Sequence, residues 1–185
     1  MILLISYDVR RRGGIERLSL QVQACLQQRG QAVRLLCPQR LGPGGLGRQL
    51  GRLWFVLQLP YQPRQRLPQS LAACDLAAIG LIPGAEDTVA PCKFYGILAS
   101  GRPVLLIARR SCDLAQLVLN AGCGLVVEPG EAAELADRLL HLSQQPDQVQ
   151  TMGERSLALY QQRFGLERSL ERYETVLQGL LEPRP

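Results

Sequence analysis

The sequence predicts an α/β protein, a mainly parallel sheet with helices on both faces, and three observations carry that expectation. Short apolar runs bounded by polar or glycine turns recur along the chain, as buried parallel strands do. Between them stand stretches whose apolar residues repeat at helical spacing. The third observation is the stretch from Ala90 to Ile107, where Pro91 leads into a short helix, Gly101 closes it and Arg102-Pro103 feed a continuous apolar strand. Strands alternating with helices in this way give a parallel sheet covered on two sides.

The first run, Ile2 to Ser6, reads as a strand ending in a polar turn. Gly13-Gly14 opens a helix with Ile15, Leu18, Val22 and Leu26 on one face, and Gly30 stops it. Ala32 to Cys37 is a second strand, and from Pro38 to about Arg52 the chain turns Gly-, Pro- and Arg-rich, a loop or join. Trp54 to Gln58 is a third strand, Leu67 to Cys74 a short helix and Leu76 to Leu81 a strand. After the Ala90–Ile107 stretch comes a helix capped by Ser111 or Asp113 and closed by Gly122. Gly124 to Val127 is the last strand, and amphipathic helices over 131–144, 147–163 and 166–181 follow. Ligands of such sheets bind outside the carboxyl ends of the strands, where Gly13-Gly14 and the 84–93 loop are expected.

At roughly 150 residues per domain, the 185 residues make one domain, or one and a fragment. The composition, 46% hydrophobic and 20% charged, is that of a globular chain with a real core. Met1 to Ile5 is too short for a secretory signal and runs into Ser6-Tyr7-Asp8 and three arginines. Leu53 to Leu57 falls far short of the roughly 20 residues of a spanning helix. A cytoplasmic location is expected. The net charge of +5 is unevenly spread, since residues 1–66 hold eleven Arg against Asp8 and Glu16 and the remainder is net acidic. The Arg-rich first third is therefore expected to face something anionic, such as a lipid-linked phosphate or the inner face of a membrane, unless it reflects compositional bias alone. It has few interleaved aromatics and no motif for reading nucleic acid, so nucleic acid is not expected as a partner.

The six cysteines (25, 37, 74, 92, 112 and 123) are irregularly spaced, without a C-x-x-C pair, and His141 is the single histidine. No metal site is expected from that pattern. Cys25, Cys37, Cys74 and Cys123 sit in apolar settings and read as core, and His141 reads as a helix-face residue, so Cys–His nucleophilic chemistry is disfavoured. Lys93 is the one lysine in a chain that otherwise uses arginine. A cation beside free N–H groups at a helix start suits a phosphate. An ordinary α/β connection with a surface lysine is the competing reading.

Several ordered pieces carry a resemblance. Leu67-Pro68-Gln69-Ser70-Leu71-Ala72-Ala73-Cys74-Asp75-Leu76 is followed by Pro83-Gly84-Ala85-Glu86, and then by the Ala90–Ile107 stretch. Next come Ala121-Gly122-Cys123-Gly124-Leu125-Val126-Val127-Glu128-Pro129-Gly130 and Met152-Gly153-Glu154 leading to Phe164. From Tyr61 onward this order resembles the C-terminal part of a GT-B fold glycosyltransferase of the family 4 type, in the branch that builds bacterial cell-surface polysaccharides. Ile2 to Asp8 with Gly13-Gly14-Ile15-Glu16-Arg17 is similar to the first strand and glycine loop of the same enzymes.

The resemblance implies a Rossmann-like domain that holds a nucleotide-sugar donor, UDP- or GDP-linked, as substrate, with no further cofactor. The implied donor-binding residues are Gly13, Gly14, Glu86, Pro91, Cys92, Lys93 and Phe94. The diphosphate would lie on the N–H groups after Pro91 near Lys93, with Glu86 facing the sugar and Gly13 and Gly14 across the cleft. A hexosyl or N-acetylhexosaminyl group would pass to a lipid-linked or polysaccharide acceptor. Catalytic residues are not assigned.

Measured against that family, the chain reads as shortened by a large internal deletion. Residues 1–38 are a strand-helix-strand remnant, 39–53 the Gly/Pro/Arg-rich join and 54–185 the donor-binding region with its C-terminal helices, the whole packing as one domain or not. Gly96 stands where many members carry a ribose-binding Glu, and Cys92 replaces a common Ser. Three readings stay open: a reduced glycosyltransferase, alone or with a partner chain completing the cleft; a nucleotide-sugar-binding module without turnover; and an inactive deletion product.

Overall fold

A computed structural model describes residues 2–6, 21–22, 24–31, 33–36, 54–59, 65 and 67–181. Gly13, Gly14, Cys37 and the 39–53 join lie outside the described residues. The strands are β1 (Ile2–Ser6), β2 (Val33–Leu36), β3 (Trp54–Leu59), β4 (Leu76–Gly80), β5 (Val104–Ile107) and β6 (Gly124–Val127). Helical residues 21–22 and 24–28 form α1. The other helices are α2 (Leu67–Ala72), α3 (Cys92–Ala99), α4 (Asp113–Ala121), α5 (Ala132–Ser143), α6 (Pro146–Leu159) and α7 (Leu166–Leu181), with a π-helical turn at Tyr160–Phe164.

All six strands run parallel in the order β2-β3-β1-β4-β5-β6. β1 pairs with β3 on one side, Leu4 opposite Leu57, and with β4 on the other, Leu4 opposite Ala77. Strand order reverses between β1 and β4, and crevices at such points hold ligands in open α/β sheets.

The two faces of β4 and β5 explain their continuous apolar runs. Leu76, Ala78, Leu105 and Ile107 point to one core, which Val22 and Leu26 of α1 and Leu135 and Leu139 of α5 complete. Ala77, Ile79, Val104 and Leu106 point to the other, filled by Phe94 and Leu98 of α3, Val118 of α4 and Leu159 of α6. A strand buried on both sides has no polar face to alternate with. Val22 and Leu26 thus occupy the apolar face expected of the first helix.

Two local expectations are corrected. Neither Ser111 nor Asp113 caps α4. Cys112 is the N-cap residue, is buried and makes no side-chain cap bond. Asp113 instead sits in the first turn, where a carboxylate favours the positive end of the helix dipole. The C-cap is as expected: Gly122 is left-handed at φ 58°, and the N–H groups of Gly122 and Cys123 return to the carbonyls of Leu119 and Val118.

The expected 147–163 helix ends early, at Leu159, and continues as a π turn. The N–H of Gly165 reaches the Tyr160 carbonyl at 2.8 Å across that wider turn. Phe164 is thereby set edge-on to the rings of Tyr95 and Phe94, at 5.1 and 6.3 Å. The thiols divide by burial. Cys74, Cys112 and Cys123 are core, Cys25 is half-buried and Cys92 is exposed. Desolvation pushes the Cys74 thiol up to about 11 and raises that of Cys123.

Candidate functional site

The carboxyl ends of β4, β5 and β6 lead into three loops, and among the described residues the polar groups of this upper edge come from them. The loop after β4 turns at Ile82–Ala85, closed by the Ala85 N–H on the Ile82 carbonyl at 3.0 Å. Glu86 then folds back beneath this turn. Its Oε2 accepts the Gly84 N–H at 2.6 Å, and its Oε1 lies 3.2 Å from Nε of Arg109, the second residue after β5. The Glu86 side chain is 0% exposed, whereas that of Arg109 is 48% exposed. The same guanidinium bonds the exposed Asp87 at 2.9 Å. One arginine therefore ties the 82–91 loop to the end of β5.

The Arg109 guanidinium holds the Glu86 carboxyl below its usual range. Burial pushes the other way, and the N–H groups of Glu86 and Gly84 add to the lowering. A carboxyl lowered in the folded state contributes stability above its unfolded value of 4.5, and that contribution is lost as pH falls through the native value. Urea midpoints measured from neutral pH down to pH 3 are expected to fall less steeply below 4.5 in Glu86→Gln than in the unaltered chain. Identical slopes would show that the pair contributes nothing. Glu134, lowered by Arg110, adds a fall of the same sign that Glu86→Gln leaves in place.

Arg110 serves a second tie. Its backbone N–H reaches Glu128 after β6 at 3.2 Å, and its guanidinium bonds Glu134 of α5 at 2.8 Å. The Arg109-Arg110 pair was not singled out in the sequence. The signal for it is a doubled cation directly after an apolar strand, on the edge where ligands of parallel sheets bind.

Pro91 is the N-cap of α3, in an extended conformation at φ −71° and ψ 118°, and no side chain caps the helix. The first N–H groups of any helix lack an intrahelical acceptor. Here that of Phe94 turns to the Pro91 carbonyl at 2.9 Å, so those of Cys92 and Lys93 are the ones the helix ladder leaves over. Cys92 and Lys93 are both exposed. Glu86, Pro91, Cys92 and Lys93 thus share one connection between β4 and α3. Phe94 differs: its ring is 1% exposed and packs in the core, so its side chain does not line the opening. Helical periodicity explains this, since Phe94, Ile97 and Leu98 share the face that α3 buries. Gly13 and Gly14 fall outside the described residues. His141 is exposed on α5 beside Gln145, as expected of a helix-face residue.

A groove of about 460 Å³ lies at the opposite, amino end of the strands, between the Gly101–Pro103 turn, Asp75 and the Val149, Gly153 and Leu157 side of α6. It shares no residue with the upper-edge cluster. Among the described residues no group of three His, Cys, Asp or Glu is placed to hold a metal ion, and no helix is long and apolar enough to cross a membrane.

No protein-family model matches the chain. In sequence it is 26% identical over 133 residues to a probable glycosyltransferase, WbjE, of Pseudomonas aeruginosa, covering 72% of this chain and 32% of that protein. In structure it is similar to a sucrose-phosphate synthase from Thermosynechococcus elongatus, with a TM-score of 0.61 and 22% identity over 97% of this chain and 45% of that one. It is also similar to a trehalose-6-phosphate synthase studied for glycosyltransfer with retention, with a TM-score of 0.58 and 12% identity over 100% of this chain and 46% of that one. The α,α-trehalose 6-phosphate synthase of Burkholderia multivorans gives 0.52 and 14% over 100% and 45%. The chain spans 32% of its curated relative and less than half of these solved proteins. It has an α/β fold of parallel sheet and flanking helices whose structural neighbours are GT-B glycosyltransferases, and its sequence is similar to that of a glycosyltransferase.

Proposed function

We propose that the chain is the donor-binding part of a GT-B glycosyltransferase of the family 4 type, taking a UDP- or GDP-linked hexose or N-acetylhexosamine. The observation that carries this reading is the uncapped start of α3, with exposed Lys93 in its first turn, at the carboxyl edge of the sheet. The similarity to WbjE supports it. In glycosyl transfer the bond from the anomeric carbon to the diphosphate oxygen breaks, the acceptor oxygen bonds that carbon and the acceptor hydroxyl's proton passes to the departing diphosphate. Negative charge collects on the departing diphosphate. The N–H groups of Cys92 and Lys93, the dipole of α3 and the Lys93 ammonium are arranged to meet that charge.

In this reading Pro91 fixes the entry of the helix, and Phe94 anchors it from below. Glu86, expected to face the sugar, instead has its carboxylate buried on Arg109 and the Gly84 N–H, and in this reading it acts as a positioning residue. The acceptor would be lipid-linked or a polysaccharide, with the Arg-rich first third facing an anionic membrane surface. Binding of the donor without turnover is the second reading.

Calorimetry of the chain against UDP, GDP and UDP-N-acetylglucosamine tests the first step. Micromolar binding of at least one is expected, weakened about tenfold or more, roughly 1.4 kcal/mol, in Lys93→Ala. No heat with any nucleotide from a folded sample overturns the reading. Binding without sugar release in the presence of acceptor lipid selects the second one.

A further inference from the structure

The Arg109–Asp87 pair differs from an ordinary surface ion pair in what stands behind it. Both members reach solvent, with side chains 48% and 60% exposed, yet Nε of Arg109 is anchored on the fully buried Glu86 carboxylate. A buried charge is costly unless it is paired. Among the described residues the partners of that carboxylate are the Gly84 N–H and this half-exposed guanidinium. The backbone around Asp87 is fixed as well. The N–H groups of Thr88 and Val89 and the Thr88 hydroxyl all meet the Ala85 carbonyl, at 3.2, 3.1 and 3.1 Å. Nη2 of Arg109 donates to Oδ2 of Asp87 at 2.9 Å. Among the described residues neither Nη1 of Arg109 nor Oδ1 of Asp87 takes part in a hydrogen bond, so a donor and an acceptor are left over side by side.

From this we infer that Asp87 and Arg109 bind hydroxyl groups of the donor sugar, an inference that rests on reading the chain as donor-binding. Asp87 stands four residues before Pro91, in the connection that delivers the start of α3. The diphosphate is proposed to lie at that start, and the sugar hangs from the diphosphate. A carboxylate oxygen accepts and a guanidinium N–H donates, so together they match two neighbouring hydroxyls, one donating and one accepting. Charge separates this pair from the phosphate site. Two carboxylates against one guanidinium leave the cluster net negative, which disfavours a second phosphate and suits a neutral sugar.

Arg110 offers no equivalent. Its guanidinium lies 2.8 Å from Glu134 and 3.8 Å from Glu131, and Glu134 also pairs with Arg138. That network ties the end of β5 to α5, not to the connection leading into α3. The Asp87–Arg109 pair therefore selects uncharged donor sugars with two free neighbouring hydroxyls.

Calorimetry of UDP-glucose, UDP-N-acetylglucosamine and GDP-mannose, each against UDP or GDP alone, separates the sugar from the nucleotide. At least one sugar nucleotide is expected to bind about tenfold or more tighter than its parent nucleotide. Asp87→Ala is expected to bring that ratio close to one, with the affinity for the bare nucleotide changed by less than about twofold. Arg109→Lys, which keeps a cation for Glu86 but loses the planar fork, is expected to lower the ratio in the same way. A ratio that survives Asp87→Ala overturns the inference, as does a ratio near one in the unaltered chain. Equal weakening of nucleotide and sugar nucleotide also overturns it and makes the pair a tie for the loop alone. A folded chain that binds no nucleotide at all removes the donor-binding reading and this inference with it. Nucleotide binding that Lys93→Ala weakens, beside a ratio that ignores Asp87, keeps the reading and overturns the inference alone.

Discussion

Phe94→Ala is expected to cost about 3–5 kcal/mol of unfolding free energy, measured by urea denaturation. Typical domains hold about 5–15 kcal/mol, so this one truncation removes a large share. The ring is 1% exposed and lies among Ile97, Leu98 and Leu159. It also meets Tyr95 and Phe164 edge-on at 5.6 and 6.3 Å, contacts that Ala abandons outright. If the start of α3 holds the donor diphosphate as proposed, the loss spreads to binding, because those rings hold the first turn of α3 against the π turn and Lys93 precedes Phe94 directly. Phe94→Leu, which keeps most of the volume, is expected to cost about 1.5 kcal/mol or less and to leave nucleotide affinity within about twofold. A folded Phe94→Leu chain that no longer binds nucleotide would show that the ring touches the ligand, against its placement in the core.

The second large effect is expected at Gly124. A Cβ there falls onto the Val104 carbonyl, and the atoms it meets are strand backbone rather than the tip of a side chain that could turn away. Gly124 and Val104 are register partners at the start of the β5–β6 ladder, and the Val104 N–H donates to the Cys123 carbonyl at 3.1 Å. Gly124→Ala therefore prises β6 from β5, at a cost of about 3 kcal/mol or more. Amide exchange reads the damage locally: Val104 and Ala108, which donate to Cys123 and Val127, are expected to lose protection before the amides of β4. An unchanged urea midpoint in Gly124→Ala would mean that the two strands do not approach as closely as described.

The elements from β4 onward were legible because each is long enough, or apolar enough, to announce its period. Val104 to Ile107 has no polar residue, and Leu135, Leu139 and Leu142 recur at helical spacing. The order of the strands was not legible. A run such as Ile2–Ser6 reads the same at an edge or in the middle of a sheet, and only tertiary pairing sets it between β3 and β4. The cap of α4 misled for a related reason. Ser111 and Asp113 have the right chemistry, but the helix begins at Cys112, which is buried and makes no cap bond. The π turn was invisible, since Tyr-Gln-Gln-Arg-Phe is acceptable helix and the rings that Phe164 meets are distant in sequence.

The site was legible in part. Pro91, Cys92 and Lys93 stand together in sequence and stay together in space. Arg109 is not legible in the sequence because its partner Glu86 is separated from it by the whole of α3 and β5, and helical spacing turns the Phe94 side chain inward.

The central position of β1 carries a consequence for biosynthesis. Its partners β3 and β4 begin at Trp54 and Leu76, so β1 leaves the ribosome well before either strand exists. At about 5–20 residues per second, roughly 4–15 seconds pass before Leu76 is made. Until Trp54–Leu59 is made, Ile2-Leu3-Leu4-Ile5 has neither neighbouring strand, and its second hydrogen-bonding edge waits for Leu76–Gly80. Slow translation between Gln58 and Leu76 is therefore expected to prolong the exposure of the β1 edge that β4 covers.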